Sequence, residues 1–273
     1  MREIENNTKS SSSLQEGLEH ELEMNRRMRE ADMDSWYPSL SDVTYPTLYI
    51  PLSVREAECM IDAHRSIQQG TERSESVNEV LSELIEKVDE KIVELNALGD
   101  KGDVGVFAKL ASRSPKDATN RFDVKCRLIK DYLDKAKDKS GKDQLSKNEI
   151  VKWIYQAHIS SFRLYSGAEV IETLLHSYRV VMDELVLVLE HKEKVWKEQI
   201  FLRQWWDVPI HFEFRGFIYG NELTALCQYY DGVYYEDVIH QEETIEKLIK
   251  DFFEEIKDRV PIEPEGICYG FCG

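Results

Sequence analysis

No apolar run in this sequence approaches the roughly 18 residues that a membrane-spanning helix needs. The start, MREIENNTKSSSS, has no apolar h-region, so a secretory leader is not expected. Neither a G-x-x-x-x-G-K-[ST] loop nor a G-x-G-x-x-G is present, which removes the two familiar glycine-based phosphate cradles. Cysteine is sparse: five in 273 residues, at Cys59, Cys126, Cys227, Cys268 and Cys272. The odd count and wide scatter suit reduced thiols in a cytoplasmic protein. Cys268 and Cys272 have no second ligand pair nearby, so no metal site is expected. Positive charge is also short, with 35 Lys and Arg against 52 Asp and Glu and a net charge of −17. Such a surface repels phosphate backbones, so nucleic acid is not the expected partner. It suits a basic protein partner, or serves solubility alone.

What is present is length enough for one large domain or two small ones, with an ample core. Residues 1–33 read as an extension, Ser-rich and disordered at first, then helical and highly charged from Leu14. The rest, 34–273, reads as the domain. Ser35 to Ser53 reads as a turn and then a strand near Thr47 to Ile50. Ser53 and Glu56 have the spacing of a capping box for a helix over Val54–Gln68. Val77, Val80, Leu81, Leu84, Ile85 and Val88 recur at helical spacing in a helix over Glu75–Ala97. A short strand, VGVFAKLA, follows the turn LGDKGD. A helix is predicted over Phe122–Ala136, and a polar loop over KDKSGKDQLSKNE. Ala168–Glu198 reads as a long helical stretch with room for one break, and Glu242–Arg259 as an amphipathic helix. Strands mixed with helices point to an α+β fold or a mixed-sheet α/β fold.

The clearest β segment runs from Gln199 to Tyr230. Gly220-Asn221 sits between two alternating runs, as in a two-residue hairpin. Tyr219 then pairs with Glu222, Phe217 with Thr224, Arg215 with Leu226 and Glu213 with Gln228. That register puts His211, Glu213, Arg215, Thr224 and Gln228 on one face. Ile210, Phe212, Phe214, Ile218, Leu223, Ala225 and Cys227 fall on the other, which reads as the core face. The polar face fits either a wet outer sheet or the floor of a polar cleft. Trp205 and Trp206 just before it can wall an aromatic pocket or simply fill core.

The stretch FAKLASRSPKDA, Phe107 to Ala118, concentrates cations in an acidic chain. Alternation puts Lys109 on the face of Phe107, not on an obviously polar one. A lysine so placed either reaches water or serves a bound anion, with Arg113 or Lys116 as a second cation.

Three separated stretches, taken in order, resemble the cell division cycle protein 123 family: WYPSLSDVT with the following IPL, VFAKLASRSPKDA, and FLRQWWDVPIHFEFRGFIYGNELTALCQYY. The resemblance implies an atypical ATP-grasp fold, with two α+β subdomains around a nucleotide cleft. Lys109 then matches the strand lysine that reaches the ATP phosphates, with Arg113 and Ser114 in the turn over them. The hinge strand Phe201 to Asp207 brings Arg203, Gln204 and Trp205 toward the adenine, and Asp207 toward the ribose. Glu213 and Arg215 match an EFR pair on the next strand. Mg²⁺ is expected for the family, on two terminal strands bearing an Asp and an acidic-x-Asn-Pro motif. VPIEPEGICYGFCG carries no such motif, so the fold is expected to be cut short at the C-terminus, with no metal ligands and an uncovered sheet edge beside the hairpin. The implied role is assembly of translation initiation factor two through its gamma subunit. The alternatives are an ATP-grasp ligase that activates a carboxylate as acyl-phosphate, and a degenerate copy without activity.

Overall fold

In a computed structural model, the structure describes residues 32–98, 104–141, 144–190 and 196–260, and the backbone of 269–272. The expected helix from Leu14 lies almost wholly outside the described residues. Two three-stranded antiparallel sheets organise the chain.

The first sheet has β3 (Gln199–Gln204) at its centre, flanked by β1 (Thr47–Pro51) and β2 (Val106–Lys109). Its inner face carries Ile50, Val106, Ala108, Ile200 and Leu202, all buried. Helices α2 (Val54–Gln69), α3 (Glu75–Ala97) and α6 (Gly167–Leu175) pack there. The predicted capping box is present: Glu56 N–H donates to Ser53 Oγ at 3.2 Å, and Ser53 N–H donates to Glu56 Oε2 at 2.7 Å. The predicted helical spacing of α3 buries Val77, Val80, Leu81, Leu84 and Val88, with Ile85 partly buried beside them.

The outer face of the same sheet follows from the pairing. Phe107 opposes Arg203 and Lys109 opposes Phe201, so these four share one side. Helix α1 (Met33–Leu40) packs on that side, with fully buried Met33 against Phe201 and Ala111, and Trp36 and Tyr37 beside them. Tyr37 Oη donates to the Thr47 carbonyl at 2.8 Å. This segment was expected to be a turn. Burial of Met33 and Leu40 outweighs the poor helical propensity of Ser35 and Pro38.

Helices α4 (Phe122–Ser140) and α5 (Lys147–Ser160) form an antiparallel pair. The polar loop expected over Lys137–Glu149 is shorter than predicted, because α4 runs to Ser140 and Ser146 caps α5 in a second capping box. The predicted break in the Ala168–Glu198 stretch falls at His176-Ser177. After it come α7 (Tyr178–Val180), a π-helical turn (Val181–Val186) and α8 (Leu187–Glu190).

The second sheet has β4 (Phe214–Tyr219) at its centre, between β5 (Glu222–Gln228) and β6 (Tyr269–Cys272). The turn at Gly220-Asn221 is as predicted, both residues having positive φ (58° and 60°). Tyr219 does pair with Glu222, but a bulge follows, and Phe217 pairs with Ala225 and Arg215 with Cys227. Ala225 and Cys227 therefore point outward and are exposed, while Leu226 and Gln228 join Phe214 and Gly216 on the covered face. Residues 210–212 are not strand: Ile210–Phe212 is a 3₁₀ turn that leaves Phe212 40% exposed, although it was expected in the core. The edge of β4 is not uncovered either. Arg215 to Ile218 pair with Cys272 to Tyr269. Helix α9 (Glu236–His240) and the predicted amphipathic helix, α10 (Glu242–Ile256), precede β6.

Candidate functional site

Strand β2 ends at Lys109, and the chain then turns through residues 110–118 from the first sheet toward the second. Leu110 N–H donates to the Arg113 carbonyl at 2.9 Å, which closes the turn. Its far end reaches Tyr229, next to the last residue of β5, where Lys116 Nζ donates to the Tyr229 hydroxyl at 2.9 Å. FAKLASRSPKDA thus runs from the end of β2 to a hydrogen bond beside the end of β5.

At the near end, Lys109 Nζ donates to the Ala111 carbonyl at 2.8 Å. Met33 N–H, in the first turn of α1, donates to the same carbonyl at 3.1 Å. Lys109 is only half-buried as a whole residue, but its amino group is withdrawn from water. That burial lowers its pKa to about 8, opposed by the negative charge of Glu184 and reinforced by Arg203. Glu184, in the π-helical turn, is 4% exposed. Its carboxylate accepts the N–H of Ser112 and of Arg113, both at 2.9 Å. Burial, and then the charge of Glu198, leave its pKa raised, opposed by the bond from the Ser112 amide and by the charge of Lys109. Glu184 was not anticipated. Its only signal in the sequence was an acid inside the apolar run VVMDELVLVL, and nothing there tied it to the β2 turn.

At the far end lies a second cationic group. Lys116 Nζ and the Arg215 guanidinium each lie 4.7 Å from the centroid of the Tyr229 ring. Glu213 sits beside them; burial raises its pKa, while Lys116 and Arg215 hold it down. The expected EFR pair, Glu213 and Arg215, is therefore together, and Lys116 and Tyr229 complete the group. Tyr229 was missed because its place depends on the bulge in β5.

Between these ends, Arg113 keeps its Nε buried with no hydrogen-bond partner among the described residues. Ser114 accepts the Lys116 N–H through its carbonyl at 2.9 Å. Asp117 faces away from both groups. It accepts from Ser177 Oγ at 2.5 Å and from Arg179 N–H at 3.1 Å, which ties the turn to the start of α7.

The residues expected along the hinge divide. Arg203 shares the outer sheet face with Lys109; its guanidinium lies 4.9 Å from the Tyr45 ring centroid and donates to Thr44 Oγ1 at 2.9 Å. Gln204 is on the opposite face, paired with Val106 and 5% exposed. Trp205 is buried, and its indole N–H donates to Asp207 Oδ1 at 2.9 Å. Trp206 is half-exposed over Tyr45. Asp207 is exposed and lies 3.5 Å from Arg163. Among the described residues no group of three or more His, Cys, Asp or Glu is placed to hold a metal ion.

The D123 family model matches residues 151–265 of this chain, which includes the hinge strand, the β4–β5 hairpin and α10. Over that stretch the chain is similar to the D123 family. The fold also resembles that of C-terminally truncated Cdc123 from Schizosaccharomyces pombe, with a TM-score of 0.59 and 20% identity over 90% of this chain and 79% of that one. Cdc123 from the same organism gives a TM-score of 0.56 and 20% identity over 90% of this chain and 78% of that one. No curated protein matches. No described helix is long and apolar enough to cross a membrane.

Proposed function

We propose that this chain is a Cdc123-family ATP-binding assembly factor with an ATP-grasp-like cleft, whose nucleotide lies along the turn between the two sheets. The observation that carries this reading is the cationic turn itself. Lys109, Arg113 and Lys116 come from one short segment, and Lys116 meets Arg215 on the Tyr229 ring. In a chain of net charge −17, cations so gathered suit a ligand of concentrated negative charge. The buried Arg113 Nε, without a hydrogen-bond partner among the described residues, offers a donor that a phosphate oxygen would satisfy.

ATP fits this set through side chains. Lys109, Arg113 and Ser114 would hold phosphate oxygens, Arg215 the far end of the chain of phosphates, and Trp205, Trp206 and Asp207 the nucleoside end. The amides of Ser112 and Arg113 are already engaged by Glu184 and take no part. Mg²⁺ does not fit the described carboxylates, none of which gathers in a group of three or more with other His, Cys, Asp or Glu residues placed to hold a metal ion.

The partner follows from the family resemblance: the gamma subunit of translation initiation factor two, bound through an acidic surface in the cytoplasm. Two measurements test the proposal. Calorimetry with ATP is expected to give saturable binding that Lys109→Ala weakens. Affinity capture from cytosol is expected to recover the gamma subunit, with less recovered as salt rises. Folded protein that binds no ATP removes the nucleotide half of the proposal, and capture without the gamma subunit at low salt removes the partner half.

A further inference from the structure

The strongest unassigned group is Glu184. Lys109 draws the Ala111 carbonyl toward itself, and two residues later the chain turns back so that consecutive amides, Ser112 and Arg113, meet one carboxylate. Two successive backbone N–H groups in a turn make an anion-binding concavity. Here the anion is supplied by the protein. The carboxylate comes from a π-helical turn, an insertion that shifts side chains out of α-helical register and is frequent at functional sites.

We propose that Glu184 is a positioning residue for the phosphate end of the site: its carboxylate fixes the Ser112–Arg113 turn and supplies the counter-charge for Lys109 Nζ. The ligand in this inference rests on the nucleotide reading; the effect on Lys109 does not. The charged groups that act on Lys109 are Glu184 from the π turn, Arg203 from β3, and Asp32 and Asp34 at the start of α1. Glu184 is acted on by Glu198 and Asp32 as well as by Lys109. Of the groups that favour a charged Lys109, Glu184 contributes most, and it is also the one bonded to the adjoining turn. One carboxylate therefore holds the shape of the turn and opposes the loss of charge that burial imposes on its lysine. A phosphate bound there would be gripped by side chains held on a pre-shaped backbone, and it would not compete for the two amides.

The test compares wild type, Glu184→Gln, Glu184→Asp and Leu84→Ala. Leu84 is fully buried in the first core, so its truncation supplies general destabilisation without touching the turn. The first readout is the titration midpoint of the Lys109 ammonium, followed by nitrogen-15 NMR without ligand. In E184Q it is expected to fall by about one pH unit or more, as loss of an adjacent opposite charge requires. In E184D, which keeps the charge, and in L84A it is expected to stay near the wild-type value. The second readout is ATP affinity against pH. The deficit of E184Q is expected to widen as pH rises and to shrink as lower pH recharges Lys109. A purely structural role predicts a deficit independent of pH and shared with L84A. An unchanged Lys109 midpoint in E184Q overturns the proposal, and so does a midpoint that falls equally in E184D. Should wild type bind no ATP, the nucleotide reading fails, while the Lys109 midpoint still decides the role of Glu184.

Discussion

Replacing Lys109 by Ala is the sharpest perturbation of the proposed phosphate site. In the free protein the ammonium is not idle, because it donates to the Ala111 carbonyl at 2.8 Å and faces Glu184. A phosphate must therefore win Lys109 from a neutral carbonyl. A charge-assisted hydrogen bond contributes about 1.5–3 kcal/mol, so its loss corresponds to roughly a ten- to hundredfold drop in ATP affinity. The pH dependence gives an independent handle. Burial lowers the free lysine to about 8, and a bound polyphosphate raises it again. The complex then holds more protons than the free protein, so binding is strongest while Lys109 is protonated. Affinity is expected to be constant just above neutrality and to fall as pH rises through about 8. The variant lacks that decline. Calorimetry at a series of pH values, with circular dichroism to verify folding, measures both effects. Equal affinity in folded K109A, or the same pH dependence in variant and wild type, would refute the role given to Lys109.

The second cationic group has its own signatures. Tyr229→Phe removes the hydroxyl that Lys116 donates to while keeping the ring under both cations, and is expected to cost about 0.5–1.5 kcal/mol in urea unfolding; Tyr229→Ala should cost clearly more, and equal costs would remove the ring from the account. Glu213 has its carboxyl pKa raised by burial, so its ionisation opposes folding. Its favourable contribution is present at low pH and lost as pH rises through the folded value. The melting temperature of Glu213→Gln relative to wild type is accordingly expected to increase from about pH 4 to pH 7, and a decrease would contradict the burial of that carboxyl. At the start of α2, Ser53→Ala breaks a complete capping box and is expected to lower unfolding free energy by about 1 kcal/mol, with no change in ATP affinity.

Local signals carried well where one segment decides its own state. Ser53 and Glu56 cap α2 from three residues apart, the apolar spacing in α3 is unbroken, and Gly220-Asn221 supplies the two positive-φ residues its turn requires. Lys109 could be placed with Phe107 by alternation alone. What could not be read is what depends on distant chain. Helix α1 contains Pro38 and forms because Met33 finds Phe201. Glu184 becomes part of the β2 turn only through folding of a helix 71 residues away from Arg113. Lys116, Arg215 and Tyr229 converge from separate elements, so Lys116 could be read as a cation near Lys109 and Arg215 as half of an EFR pair, but not their meeting on Tyr229.

The hairpin shows how one unread residue changes a whole face. Perfect alternation from Tyr219–Glu222 puts Ala225 and Cys227 inward and Leu226 opposite Arg215. A bulge leaves Thr224 out of the ladder, with its Oγ1 donating to the Phe217 carbonyl at 3.1 Å, and every later residue of β5 changes side. Nothing in the ELTALCQ alternation marks that insertion, which leaves Gly216 and Ile218 of β4 on the covered face. The two registers make opposite predictions for two adjacent residues. Leu226→Asp puts a carboxylate on the covered face beside Phe214, and half-burial of the leucine together with desolvation of the charge suggests a cost of about 2 kcal/mol or more. Ala225→Asp puts the same group in water, where a cost within about 0.5 kcal/mol is expected beyond the strand penalty that both substitutions share. Urea unfolding of the pair separates the registers. A costly A225D with a tolerated L226D would restore the unbulged hairpin. It would also return Arg215 to a position opposite Leu226 and dissolve the arrangement on Tyr229 from which the second half of the site is built.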